Sequence, residues 1–208
     1  MTLVALRARP GAARAGIRGG GYCHAVTVGI VIAAAAAVAL LAVVLLYNRL
    51  VRLRNRAENA WAQVDVQLRR RYDLVPNLVQ TVKGYAAHEQ ETFEAVTAAR
   101  AGAQSAATVE QQARAENVLT AALGRLFAVA EAYPQLRAVE SFQALQGQLA
   151  EIEQSIAVSR QVYNDTVLTY DTALETVPTN LVARVFRFAA RAYFEIDEPE
   201  RRPVAVDF

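Results

Sequence analysis

Few residues in this chain are of the types that do chemistry, and their spacing decides what each can do. His24 and His88 are the two histidines, and Cys23 is the single cysteine. His88 stands with Glu89, Glu91 and Glu94, a set with the donor types of a metal site. On a helix, however, positions 88, 91 and 94 fan around the axis, and His88 is the only histidine past residue 24 to serve a zinc triad. A lone cysteine excludes an intramolecular disulfide and a thiolate metal cluster. The chain has no G-x-S-x-G elbow, no phosphate-binding loop and no dinucleotide glycine fingerprint. The reading is therefore non-enzymatic, with no catalytic, cofactor-binding or metal-ligating residue and no cofactor.

Recognition chemistry has better candidates. Arg69, Arg70 and Arg71 are consecutive, with Asp65 and Asp73 four residues either side of Arg69. That is ion-pair spacing on a helix, at a few tenths of a kcal/mol per exposed pair. The triplet reads either as a solvated, partly paired face or as a partner-docking patch, and all three arginines are candidate docking residues. Tyr72, Tyr85, Tyr133, Tyr163 and Tyr170 fall on apolar faces. They read as core tyrosines whose hydroxyls find acceptors, or as the lining of a groove that receives a partner peptide.

The elements that must position these residues are helical. Ala25 to Leu46 is 22 residues without a charge. At ~1.5 Å per residue it reaches about 33 Å, matching a hydrocarbon core of ~30 Å, and is expected to be a transmembrane helix. Gly29, Ala33 and Ala37 within it have small-xxx-small spacing, a route to a weak homo-oligomer. Residues 1–24, with Arg7, Arg9, Arg14 and Arg18, read as a basic flexible tail. From residue 19 onward 18 bases face 20 acids, a balance that argues against a nucleic-acid partner. Four arginines before the apolar run and four after it, Arg49 to Arg56, leave the positive-inside rule tied.

Beyond the run, Trp61, Val64, Leu68, Arg71, Val75, Leu78, Val82 and Tyr85 follow helical steps of three and four. Pro76 interrupts this stretch and is the candidate kink, since proline removes one helical hydrogen bond and crowds the preceding turn. A break is expected at Ala101–Ser105, and Thr108 to Gln111 has capping-box spacing for a new helix carrying Leu119, Leu123, Leu126, Phe127, Ala130 and Tyr133 up to Pro134. The longest stripe comes last: Phe142, Leu145, Leu149, Ile152, Ile156, Ser159, Tyr163, Thr166 and Tyr170. It reads as the seam of an antiparallel bundle. Thr176 to Asn180 closes it, and Leu181 to Phe194 is expected to be a short final helix. The fold class is all-α: tail 1–24, transmembrane helix 25–46, helical bundle 47–194 and an extended tail 195–208.

The stretch N-R-x-E-N-A-W-A-Q-V-D-V-Q-L-R-R-R-Y-D-L-V-P-N-L-V-Q-T-V-K-G-Y-A-x-H-E, Asn55 to Glu89, resembles the LemA family of bacterial membrane-anchored helical proteins. Tyr163-Asn164-Asp165, and the end of the chain from Tyr193-Phe194-Glu195 to Val206-Asp207-Phe208, are similar to the same family. The resemblance covers Tyr47 to Phe208 and implies a membrane adapter or scaffold at the cell membrane, with a lipid bilayer and envelope proteins as partners. It brings no catalytic motif. Two other classes remain open: an accessory subunit of an envelope enzyme, which needs two carboxylates converging in a cleft, and a sensor of membrane state acting through the stalk at Pro76.

Overall fold

The computed structural model describes residues 20–195, with side chains described from Val26 onward. Most of the basic tail and all but Glu195 of the extended tail lie outside that range. Residues 20–24, expected within the flexible tail, are instead the first turn of a helix. The described residues form α1 (Gly20–Lys83), α2 (Gln90–Gln104), α3 (Val109–Glu131), a single turn α4 (Pro134–Arg137), α5 (Glu140–Glu175) and α6 (Thr179–Val185). All regular structure among them is helical, as the alanine, leucine, glutamine and arginine content favours.

The chain divides between Leu45 and Leu46 into two units. In the first, every residue of α1 from Val26 to Leu45 is exposed. This helix is long and apolar enough to cross a membrane.

The second unit is a bundle of the remainder of α1 with α2, α3 and α5. Trp61 meets Tyr163, and Arg71 meets Glu153, so α5 runs antiparallel to α1. Phe127 of α3 meets Phe142 of α5 with ring centroids 6.4 Å apart, and Glu116 and Glu153 meet at Arg71, so α3 runs antiparallel to α5. α2 folds back on α3 through a short loop. The core is built from the faces that the spacing marks: Val64, Leu68, Val75, Leu78 and Val82 on α1, Leu119, Leu123 and Leu126 on α3, and Phe142, Leu149, Ile156 and Tyr163 on α5. Beyond Tyr163 the buried face of α5 passes to Val167, Tyr170 and Ala173, so Val167 is buried where Thr166 was expected. The shift is one residue, the drift of a 3.6-residue helix against a strict 3.5 repeat.

Other differences have local causes. α1 ends at Lys83 and turns through Gly84 to Glu89, so Tyr85 leaves the stripe and is exposed. The expected break at Ala101–Ser105 falls later, because α2 continues to Gln104 and the turn occupies Ser105 to Thr108. There the cap is as expected: the Thr108 hydroxyl accepts from the Gln111 amide at 3.2 Å, while Gln111 Oε1 accepts from the Ala107 amide at 3.1 Å. The final helix is only α6, and residues 189–195 are non-helical.

At Pro76 the helix does not break. A proline cannot donate to the carbonyl four residues earlier, here that of Tyr72. That carbonyl instead accepts from Arg100 Nε of α2 at 2.6 Å. A side chain from the neighbouring helix satisfies the group that proline leaves open, and α1 continues to Lys83.

Candidate functional site

The arginine triplet is split by helix geometry. Consecutive residues on a helix point about 100° apart, so three in a row cannot share one face. Arg69 and Arg70 point to solvent: Arg69 pairs with Asp65 at 2.8 Å, and Arg70 contacts Gln67 Oε1 at 3.4 Å. Arg71 lies on the apolar stripe and is 2% exposed, so it leaves the docking patch and enters the core. A guanidinium keeps its charge when buried, so leaving it unpaired there would be costly.

Its partners come from two other helices. Arg71 Nη1 donates to Glu116 Oε2 of α3 at 2.7 Å, and Nη2 donates to Thr120 Oγ1 at 2.9 Å and to Glu153 Oε1 of α5 at 2.8 Å. Glu116 is fully buried, and its other oxygen accepts from the Tyr72 hydroxyl and from Gln112 Nε2. Gln112 Nε2 also reaches the Tyr72 hydroxyl at 2.6 Å and the Ala103 carbonyl of α2 at 3.2 Å. One polar cluster thus ties together all four long helices of the bundle. Arg71 Nε is a buried donor left without a partner among the described residues.

The electrostatics follow from burial. The Tyr72 hydroxyl is pushed well above the usual phenol range, first by burial and then by its hydrogen bond to Glu116, so it stays protonated and donates. The half-buried Glu153 carboxyl is raised chiefly by burial, with Arg71 opposing and the Glu116 charge adding to the rise. The folded state therefore holds this proton more tightly than the unfolded chain does. That contribution is present at low pH and is lost as pH rises from the ordinary value of 4.5 through the raised one. Glu153→Gln should accordingly flatten the fall in melting temperature across that window. Superimposable pH profiles for the two proteins would show that Glu153 titrates as an ordinary carboxylate.

Beside this cluster α3 and α5 leave a groove of about 370 Å³, lined by Arg71, Thr120, Leu123, Gly124, Phe127, Gln146, Leu149, Ala150 and Glu153. Two carboxylates do converge, on Arg71, which the residue spacing alone did not disclose. Glu116 is committed to three donors and closed from solvent, so it cannot take a proton from a substrate. The arrangement locks helices in register. Among the described residues no group of three or more His, Cys, Asp or Glu is placed to hold a metal ion.

Tyr72, Tyr163 and Tyr170 are core tyrosines with bonded hydroxyls, the first of the two readings, and not the lining of a groove. Tyr72 belongs to the cluster, Tyr163 donates to the Ala192 carbonyl at 2.8 Å, and Tyr170 donates to the Ala189 carbonyl at 3.0 Å. Asn164 exchanges two hydrogen bonds with the backbone of Phe194, and Phe194 is buried edge-on against Trp61. These bonds strap the non-helical segment along α5 and satisfy backbone groups that no helix serves.

Sequence spacing missed Glu116, Gln112, Thr120, Glu153 and Arg100. A signal was present for two of them: Gln112 and Glu116 extend the Leu119, Leu123, Leu126 stripe backwards in helical steps. An acid and an amide on one apolar stripe, with an arginine on another, is the pattern of a buried pair.

Comparison with known proteins places the sequence in a family. The model of the LemA family matches residues 60–208. The proteins named magnetosome protein MamQ 1 and MamQ 2, from Paramagnetospirillum magneticum, are each 28% identical over 204 aligned residues, covering 85% of this chain and 74% of each relative. Magnetosome protein MamQ of Magnetospirillum gryphiswaldense is 26% identical over 175 residues, covering 71% of this chain and 64% of the relative. The matched region takes in the stripe from Trp61, the Arg71 cluster and the Asn164 strap, and the chain belongs to the LemA family.

Proposed function

We propose that this chain is a membrane-anchored, non-enzymatic helical scaffold, held in the cell membrane by a single pass of α1, whose bundle presents a docking surface to other envelope proteins. The observation that carries the reading is the first unit: an uncharged helix exposed along its whole length from Val26 to Leu45. Such a surface is stable in lipid and not in water. The bundle supports a scaffold role because the buried Arg71, Tyr72, Gln112 and Glu116 side chains bond one another across its helices. Arg69 and Arg70 remain on the exposed face of α1 and form the docking patch.

The test is a quantitative pull-down from crosslinked membranes. Arg69→Gln together with Arg70→Gln should lower the yield of co-purified envelope proteins roughly fivefold while changing stability by less than about 1 kcal/mol, since both side chains are exposed. Arg125→Gln, an exposed arginine on α3, serves as the charge control. Equal partner yields from the double variant and the control would return the patch to a solvated face.

A further inference from the structure

We propose that α6 and the turn after it form a second lipid contact, an interfacial foot that rests on an anionic bilayer surface; this deepens the membrane-anchor reading and rests on it. α6 turns Thr179, Val182 and Ala183 inward, and Val182 and Ala183 join Leu50, Leu53, Tyr170 and Ala173 in one apolar cluster. Its outer side is unusually apolar for an exposed surface. Val177, Leu181, Val185 and Phe186 are 78%, 61%, 75% and 50% exposed. Leu181 and Val185 are four apart and share a ridge, with the exposed Arg184 beside them.

What covers this face is indicated by its neighbours. Tyr47, the first residue past the uncharged run, meets Phe186 at a tilt with centroids 4.9 Å apart and Phe188 edge-on at 5.7 Å. When the run spans a bilayer, Tyr47 stands at its boundary, and Phe186 lies within one ring's breadth of it. Charge agrees with that placement: residues 46–58 and 171–191 together hold seven arginines against three carboxylates. One of those carboxylates, Glu58, is already paired with Arg191. Arg49, Arg52, Arg54, Arg56, Arg184 and Arg187 are exposed, and Arg54 also lies over the Phe188 ring at 5.6 Å. Apolar and aromatic residues interleaved with arginines are what a headgroup boundary accommodates, the rings entering the acyl edge and the guanidinium groups reaching phosphates.

The turn after α6 adds a separate observation. It is a Schellman turn, with Phe188 N–H donating to the Ala183 carbonyl at 3.0 Å and Arg187 N–H to the Arg184 carbonyl at 3.3 Å. Its left-handed position, φ 56°, is the one glycine fills at least cost, yet here it holds Arg187. Arg187 at that position sets a further cation next to Phe186.

The test uses the full chain in vesicles of phosphatidylcholine with about 30 mol % phosphatidylglycerol, carrying nitroxide-labelled lipids near the headgroup. Phe186→Trp is compared with Val118→Trp, an exposed site on α3, each over the native Trp61 signal. The added tryptophan at 186 should be quenched at least about threefold more than that at 118, and Arg184→Gln with Arg187→Gln should roughly halve the difference. Equal quenching at the two sites, in chains that alkaline carbonate leaves in the vesicles, would overturn the foot and leave the anchor standing. Release of the chain by carbonate would overturn both. Quenching unchanged by the arginine substitutions would overturn the assignment to an anionic surface.

Discussion

Glu116→Ala is expected to cost the bundle about 3–5 kcal/mol, the range for removing one partner from a buried ion pair. The loss is large because the carboxylate accepts from three donors at once. Without it Arg71 keeps only Thr120 and the half-exposed Glu153, and the Tyr72 hydroxyl and Gln112 amide lose their shared acceptor. Arg71→Ala should be nearly as damaging, because it strands Glu116 in the core. Replacing the pair together, Arg71→Met with Glu116→Leu, should recover the part of the loss due to the unpaired charge, since two apolar side chains of similar volume need no partners, while Tyr72 and Gln112 still lack their acceptor. Denaturant unfolding of the native chain, Arg71→Met, Glu116→Leu and the double variant closes the cycle and gives the coupling energy. A Glu116→Ala cost below about 1 kcal/mol would show that the pair is solvated and does not lock the helices.

How far such a cluster can be read in advance depends on which periodicity carries it. The helices and their buried faces follow from local spacing, and Val64, Leu68, Leu78, Leu149 and Ile156 are buried where that spacing puts them. Arg71 was visible as a charged residue on an apolar stripe, but nothing local says that its partners lie 45 and 82 positions away. That information resides in the register between helices, which a single stripe does not encode. Pro76 is the complementary case. Proline chemistry marks one helical hydrogen bond as lost, and only the packing of α2 shows Arg100 filling the gap at the Tyr72 carbonyl. The Tyr163-Asn164 and Tyr193-Phe194 segments that carry the family resemblance turn out to be two halves of one contact, Asn164 against the Phe194 backbone and Tyr163 against Ala192. The shortened final helix and the exposed Tyr85 were misplaced for one reason: an apolar pattern continues through turns that backbone geometry interrupts.

The second large effect concerns the anchor, which is the central claim. A chain beginning at Leu46 keeps the bundle core, its buried polar cluster and the α6 contacts, all of which lie in the second unit. It should therefore be soluble and strongly helical by circular dichroism, whereas the full chain carries an apolar helix that water does not tolerate. The decisive measurement is alkaline carbonate extraction of membranes containing each form, which strips peripheral proteins and leaves spanning ones. The full chain should remain in the pellet and the chain from Leu46 should appear in the supernatant with its helicity intact. Release of the full chain into the supernatant would contradict a spanning anchor.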